Sequence, residues 1–434
     1  MTGSRRPPVL LTMAGYGGTL AAVRSLGRAG VRVTVADARR FQAASWSRFA
    51  ARTLRCPDAE RRPEQFVEWL LDLGRKEPGQ ALCPTSDGMA WLLARFRSDL
   101  ARHFRIDGPL LEAVDATLNK RRLEVACRGA GIASPRTWVP SDAAEVERLR
   151  PDLPFPILIK PQSQAFLAPQ SKGALVAAPE ALLGRYSAFR AAARHAAILA
   201  EHDAAVDRPM LQQYVSWGSE GIYGLSGFVD RTGDLFVVAA SRKVLQKPRR
   251  LGVGLCFEDA PLRPELAEKL RALCRQIGYH GVFEVEFLGP AERPLLIDFN
   301  PRLYGQAAFD VDRGMDVPLL AYLAAVGDGP ALLRAVADGR RSVAERSTRI
   351  YCHRARFEPF LRASRLAGGL TGEEARRWRS WLRRHRGRVT DPTLDRRDRV
   401  PGLLEGVSGL VEYFRHPRCS FREARERHED VPSP

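Results

Sequence analysis

The sequence predicts an α/β amino-terminal domain, a larger α+β region and a helical carboxy-terminal extension. Three observations carry that prediction. Residues 8–37 read as strand, glycine-rich turn, helix and strand. Residues 281–305 read as two strands joined by a turn, with acids, an amide and an arginine at regular spacing. Beyond residue 339 arginine crowds a chain patterned as amphipathic helices.

The first element is the run PVLLTMAGYGGTLAAVRSLGRAGVRVTVAD, in which an apolar strand leads into a turn at Gly15, Gly17 and Gly18. An amphipathic helix and a second strand ending at Asp37 complete one βαβ unit. This places a Rossmann-like domain at residues 1–111. Alone, the unit also fits an NAD-dependent oxidoreductase, because an acid about twenty residues beyond the glycines holds a ribose hydroxyl in such folds. Leu20 stands where the third glycine of that fingerprint belongs. Farther on, ALCPTSDGMAWLLARF sets Thr85, Ser86 and Asp87 at a strand end, the edge where open parallel sheets receive ligands. Ser86 or Asp87 also suits the N-cap of a helix beginning near Met89.

The central region is read from its last two strands, GVFEVEFLGPAERPLLIDFNPRLYG. Alternate side chains of a strand share a face, so Glu284 and Glu286 point one way while Phe283, Val285 and Phe287 point the other. Gly289, Pro290 and Pro294 mark a turn, and the strand begun by Leu295 ends with Asp298, Asn300 and Arg302 on one face. A hairpin sets Glu286 opposite Asp298. Mg2+ accepts hard oxygens from two or three side chains when nucleotide phosphates and water complete its octahedron. Arginine grips a phosphate with two parallel hydrogen bonds. The array therefore fits a metal-nucleotide site in which Arg302 holds the transferring phosphate. A bare E-x-E strand also suits a solvated hairpin face.

The Asp298-Phe299-Asn300-Pro301-Arg302 ending, twelve residues beyond Glu286, resembles the ATP-grasp superfamily. The likeness is to its carboxylate-amine ligase branch, including carbamoyl phosphate synthetase large-subunit-like and D-aspartate ligase-like proteins. The resemblance implies a two-subdomain α+β ATP-grasp unit, at residues 112–327, that grips ATP with Mg2+, Mn2+ being a substitute, with Glu286, Asp298 and Asn300 as metal ligands and Arg302 as a catalytic residue on the transferring phosphate. It implies that Lys120, followed by Leu123 in LNKRRLEV, and Lys160, ending PFPILIK, neutralise phosphate oxygens, Lys160 with a catalytic role. Between them Gly131-Ile132-Ala133-Ser134-Pro135 matches a family connection, and Asn119 replaces the usual acid before Lys120. In PMLQQYVSWGSEGIYGL, Gln213, Tyr214 and Val215 match the adenine hinge, Gln213 replacing a common glutamate, and Glu220 matches the ribose-binding acid. The segment SRKVLQ offers Arg242, Lys243 and Gln246 to phosphate or acid substrate. Just beyond Arg302, Tyr304, Gly305 and Gln306 stand where the acid substrate is received.

The departure from the family is the loop at residues 162–173, QSQAFLAPQSKG, which has one glycine where a flexible glycine-rich lid is usual. Ser163, Ser171, Lys172 and Gly173 are its phosphate-binding candidates. The expected activity is ATP-dependent ligation of a carboxylate to an amine through an acyl phosphate. The alternative is a catalytically degenerate ATP-binding or regulatory protein.

Composition bounds the remaining choices. The chain has 434 residues, 45% of them hydrophobic, enough for more than one core. Its seven cysteines are scattered without C-x-x-C spacing, which argues against a disulfide framework and a zinc site. No apolar run approaches the roughly eighteen residues that cross a bilayer, and Arg5 and Arg6 lead into a strand without a cleavable signal pattern. The expected location is cytoplasmic, the expected partners small-molecule carboxylates and amines, and the expected assembly a homo-oligomer. Net charge is +18. Residues 328–434 read as a basic, mainly helical extension whose helix around Trp378, Trp381 and Leu382 is either an anionic-surface contact or an ordinary solvated helix. Residues 390–402 read as an exposed loop.

Overall fold

The computed structural model describes residues 6–168, 171–216, 221–249 and 251–415, with side chains to residue 407. Five parallel strands form the amino-terminal sheet: β1 (Val9–Thr12), β2 (Val33–Asp37), β3 (Ala50–Arg55), β4 (Ala81–Leu82) and β5 (Arg105–Ile106), in the order β3-β2-β1-β4-β5. Strand order reverses between β1 and β4, which opens the crevice where such sheets bind ligands. The Thr12 and Thr85 hydroxyls meet there at 3.1 Å. The expected Rossmann-like unit is present, and Ser86 caps the helix Asp87–Arg95 by accepting the Met89 N–H at 3.1 Å.

The next strands are β6 (Thr137–Trp138), β7 (Ile157–Lys160), β8 (Leu167–Ala168), β9 (Ala174–Val176), β10 (Arg194–His195) and β11 (Met210–Gln213). Four make an antiparallel sheet, β6-β11-β7-β9, while β8 and β10 pair as a short ribbon. A seven-stranded sheet follows from β12 (Ile222–Val229), β13 (Phe236–Lys247), β14 (Val253–Asp259), β15 (Gly281–Leu288), β16 (Leu295–Asn300), β17 (Ile350–Cys352) and β18 (Val389–Thr390). Its order is β16-β15-β12-β13-β14-β17-β18.

One face of this large sheet is apolar and packs Leu225, Val238, Phe283, Val285 and Phe299 against the helices Lys120–Gly129 and Pro264–Ile277. The other face changes character along its length. Phe228, Val237 and Val282 meet the amino-terminal domain and the helix Val317–Val326, whereas Ser226, Ser241, Lys243, Glu284 and Glu286 form a polar stretch. Period-two alternation produces both faces from one set of strands.

The extension is mainly helical, with helices Arg354–Leu366, Gly372–Arg384 and Val400–Arg415, and it also supplies β17 and β18 to the large sheet. Trp378 and Trp381 are buried against Leu255, Cys256, Phe357 and Leu361, so the tryptophan face of this arginine-rich helix is core. The reading of residues 390–402 as an exposed loop is corrected in part, since Leu394, Arg396, Arg397, Arg399 and Val400 are exposed but others are not. Thr390, Thr393 and Asp398 are buried, because Arg24 of the first helix reaches across to donate to the Pro392 and Thr393 carbonyls and to Asp398.

Candidate active site

The site is assembled from strand ends and one helix start. Lys120 opens its helix, which Asn119 caps by accepting the N–H groups of Arg121 and Arg122 at 3.0 and 3.2 Å. The amide that replaces the usual acid thus has a capping role. Lys120 donates its backbone N–H to the Gln162 carbonyl at 2.9 Å, and its ammonium pairs with Asp298. Lys160 ends β7 and donates to Gln212 Oε1 on β11 at 3.2 Å. Burial, reinforced by the Lys120 charge, pushes its pKa down to about 7.

The expected hairpin is present, and its register sets Glu286 directly opposite Asp298, with a bulge at Ile297. Burial alone would raise the Asp298 pKa, but the Lys120, Lys172 and Lys160 charges outweigh it and hold the carboxyl well below the usual range. Glu286 pairs with Lys243 of β13. Glu284 is buried and accepts Asn300 Nδ2 at 2.5 Å and Gln306 Nε2 at 2.9 Å. Burial and the adjacent Glu286 raise its pKa to about 7. Arg302 donates from Nε to Asp87 Oδ1 at 2.7 Å and from Nη2 to Asn300 Oδ1 at 2.8 Å.

The structure therefore brings together Lys120, Lys160, Lys172, Lys243, Glu286, Asp298, Asn300 and Arg302. Arg242 is separate: it lies on the opposite face of β13, beside Tyr223. Gln213 ends β11 with its N–H on the Arg136 carbonyl at 2.9 Å, and Tyr214 follows it. Val215 packs with Ile222, Leu288 and Ile297, an apolar patch flanking Glu286 and Asp298 that suits the flat face of a base. Glu220 lies outside the described residues.

Among the described residues no group of three or more His, Cys, Asp or Glu is arranged to hold a metal. Two carboxylates and an amide share one hairpin face, where Lys243, Lys120 and Arg302 now hold them, and hard oxygens of this kind fit Mg2+ completed by phosphate oxygens and water.

Sequence reasoning missed Glu60. Its carboxylate accepts Ser86 Oγ at 2.9 Å and the Phe166 N–H at 3.3 Å, joining the amino-terminal sheet edge to the loop at residues 162–173. Burial, with repulsion from Asp87, raises its pKa. No local pattern announces Glu60, which acts through partners 26 and 106 positions away. Glu284 was visible as the neighbour of Glu286, but its buried contacts with Asn300 and Gln306 were not. A compositional signal was available too. Only seven of the 68 cationic residues are lysines, and Lys120, Lys160, Lys172, Lys243 and Lys247 fall in this region of the chain.

The glycine turn has a use other than a dinucleotide. A Cβ on Gly17 would lie 2.9 Å from the Gly305 carbonyl oxygen, and one on Gly18 would lie 2.7 Å from that of Tyr304. The backbone after Arg302 occupies the space above the turn, so these glycines permit close packing of two domains.

A Rossmann-like domain is followed by two α+β sheets, with lysines and acids where they meet. Structural comparison identifies this arrangement as the ATP-grasp fold. The biotin carboxylase domain of Hydrogenobacter thermophilus 2-oxoglutarate carboxylase, solved with MgADP, ADP and bicarbonate, matches with a TM-score of 0.58 and 16% identity. That match covers 75% of this chain and 70% of that one. N5-carboxyaminoimidazole synthetase from Staphylococcus aureus matches at TM-score 0.53 and 12% identity, over 74% and 78% of the two chains. Phosphoribosylglycinamide synthetase from Anaerococcus prevotii matches at 0.53 and 14%, over 75% and 77%. No protein-family profile and no curated protein sequence matches the chain.

Proposed function

We propose that this chain is an ATP- and Mg2+-dependent carboxylate-amine ligase that forms an amide and releases ADP and phosphate. The observation that carries the reading is the convergence of Lys120, Lys160 and Lys172 on Asp298, opposite Glu286. That arrangement gathers cations beside an acid and amide set, as a metal-bound triphosphate requires.

In this reading the substrate carboxylate attacks the γ-phosphorus of ATP, the bond to the β,γ-bridging oxygen breaks, and ADP leaves. The amine then attacks the acyl carbonyl, the C–O bond to phosphate breaks, and the amine's proton is lost with inorganic phosphate. Lys120 and Lys160 hold phosphate oxygens, and Arg302, oriented by Asp87, holds the group being transferred. Glu286, Asp298 and Asn300 would hold the Mg2+, which supplies neutralisation of phosphate charge when bound. Glu284 accepts from the Asn300 Nδ2, which leaves the Asn300 oxygen, held by Arg302 in this structure, as the atom offered to the metal. The acceptor is received at the crevice of the first sheet, where Asp87 meets Arg302 and Glu60 holds Ser86.

One observation favours the second reading, ATP binding without turnover. The loop at residues 162–173 is tethered by side chains: Gln162 Nε2 donates to the Ala205 and Arg208 carbonyls at 2.6 and 3.0 Å, and His195 Nε2 lies 3.1 Å from the Ser163 carbonyl. A lid held this way closes less freely than one built from glycine. Incubating the protein with Mg-ATP and pools of acids and amines, with ADP, phosphate and condensed product followed by mass spectrometry, separates the two. Release of ADP that requires both an acid and an amine supports ligation. Tight Mg-ATP binding without release across broad pools supports the second reading, and failure to bind nucleotide removes both.

A further inference from the structure

We infer that the surface formed by the last helix and the turn after β2 is a docking face for an anionic phospholipid bilayer. On the helix Val400–Arg415 the residues Val400, Leu403 and Val407 are 44, 70 and 59% exposed and follow i, i+3, i+7 spacing, so one helical face is apolar and uncovered. The sequence continues that spacing at Leu410, Val411 and Phe414. The 3-10 turn Ala43–Trp46 packs against this helix. It presents Trp46 stacked on Phe41 with ring centroids 5.9 Å apart, 48 and 63% exposed respectively. Large exposed apolar groups gathered this way mark an interaction surface.

The face is rigidly assembled. Asp398 accepts Ser47 Oγ at 2.7 Å, the Arg48 N–H at 2.9 Å and Arg24 Nε at 2.8 Å, which ties the start of the helix to the aromatic turn. Exposed Arg40, Arg48, Arg396, Arg397 and Arg399 border it. Aromatic and aliphatic side chains ringed by arginine match the layered chemistry of a bilayer interface, where apolar groups enter the acyl boundary and guanidinium groups meet phosphate.

Two other occupants fit less well. A second copy, docked symmetrically, would bring the same arginines face to face. Residues 416–434 carry four arginines and four acids, so they have no net charge to complement the ring.

The test is co-sedimentation of the full chain with vesicles of phosphatidylcholine and phosphatidylglycerol at 7:3, against phosphatidylcholine alone. The variants are Leu403→Glu/Val407→Glu and Phe41→Ser/Trp46→Ser, all at exposed positions and none among the residues placed in the cleft, with thermal unfolding confirming that each folds. Binding to the anionic vesicles that falls at least tenfold in either double variant, and that weakens as salt is raised, supports the face. Binding equal on both vesicle types, or unchanged in both variants, overturns it. So does an absence of vesicle binding, including the case in which sedimentation velocity shows a dimer that Leu403→Glu/Val407→Glu dissolves.

Discussion

Asp298 shows how much a single residue carries. It opposes Glu286 and lies among three lysines that together depress its pKa. Asp298→Asn keeps the shape and removes the charge, so Mg-ATP turnover should fall by roughly 10²-fold or more, the scale of a lost electrostatic group in an active site. Circular dichroism and the unfolding midpoint should remain near wild type. Retained turnover would detach Asp298 from the metal. Lys160 makes a second, pH-dependent prediction. With its pKa pushed down to about 7, its ammonium is charged below that pH and neutral above it. A bound polyphosphate restores the proton, so nucleotide affinity should weaken as pH rises from 7 to 9, by up to tenfold per unit. Calorimetry across that range should show proton uptake on binding, and Lys160→Arg, always charged, should flatten the profile. An identical slope in both proteins would remove Lys160 from the phosphate site. The facing of Glu286 and Asp298 was legible in the sequence because strand alternation and turn residues are local rules, whereas Lys120 and Lys160 were expected from the resemblance alone. Glu60 was not legible, because its role depends on a fold that brings Ser86 and Phe166 to it.

At the scale of elements, the glycine turn after β1 illustrates a pattern with two physical readings. Its residues fit a pyrophosphate cradle, and the structure instead packs the backbone of Tyr304 and Gly305 over it. Gly18→Ala introduces a Cβ 2.7 Å from a carbonyl oxygen on another rigid segment. The expected cost is about 1–3 kcal/mol of stability, the range for overpacking, read as a lower urea midpoint. Unchanged stability would mean the two domains separate more readily than this contact suggests. The loop at residues 390–402 taught the opposite lesson. Its polar, proline-bearing sequence reads as exposed, and no local feature reveals that Asp398 meets Arg24, 374 positions earlier.

At the scale of the whole molecule, that arginine binds the ends of the chain together. Arg24 is 5% exposed and donates to Asp398 and to three backbone carbonyls, Pro392, Thr393 and Asp398, at 2.8–3.0 Å. Arg24→Ala leaves a buried carboxylate without its charge partner, a loss on the order of 3–5 kcal/mol. Limited trypsin digestion should then cut at Arg396 and Arg397 many times faster than in wild type, and equal rates would refute the clasp. The fold class was legible from composition and motif. The return of β17 and β18 to the central sheet was not, since strands of three and two residues leave too short a pattern to read. Their return also means that β14 is an interior strand, and a chain ended at residue 327 would leave it as an unpaired edge prone to association.

The same molecule is unusually suited to covalent profiling, for a reason that lies in its choice of cations. Lysine is scarce, and Lys120, Lys160 and Lys172 all act on one aspartate. Lys160, with its pKa lowered to about 7, is partly neutral and so ready to acylate near neutral pH. A nucleotide carrying an activated ester would therefore meet few competing targets elsewhere on the surface. Peptide mapping of one labelled sample would give the orientation of the triphosphate in the cleft, without a substrate ever being identified.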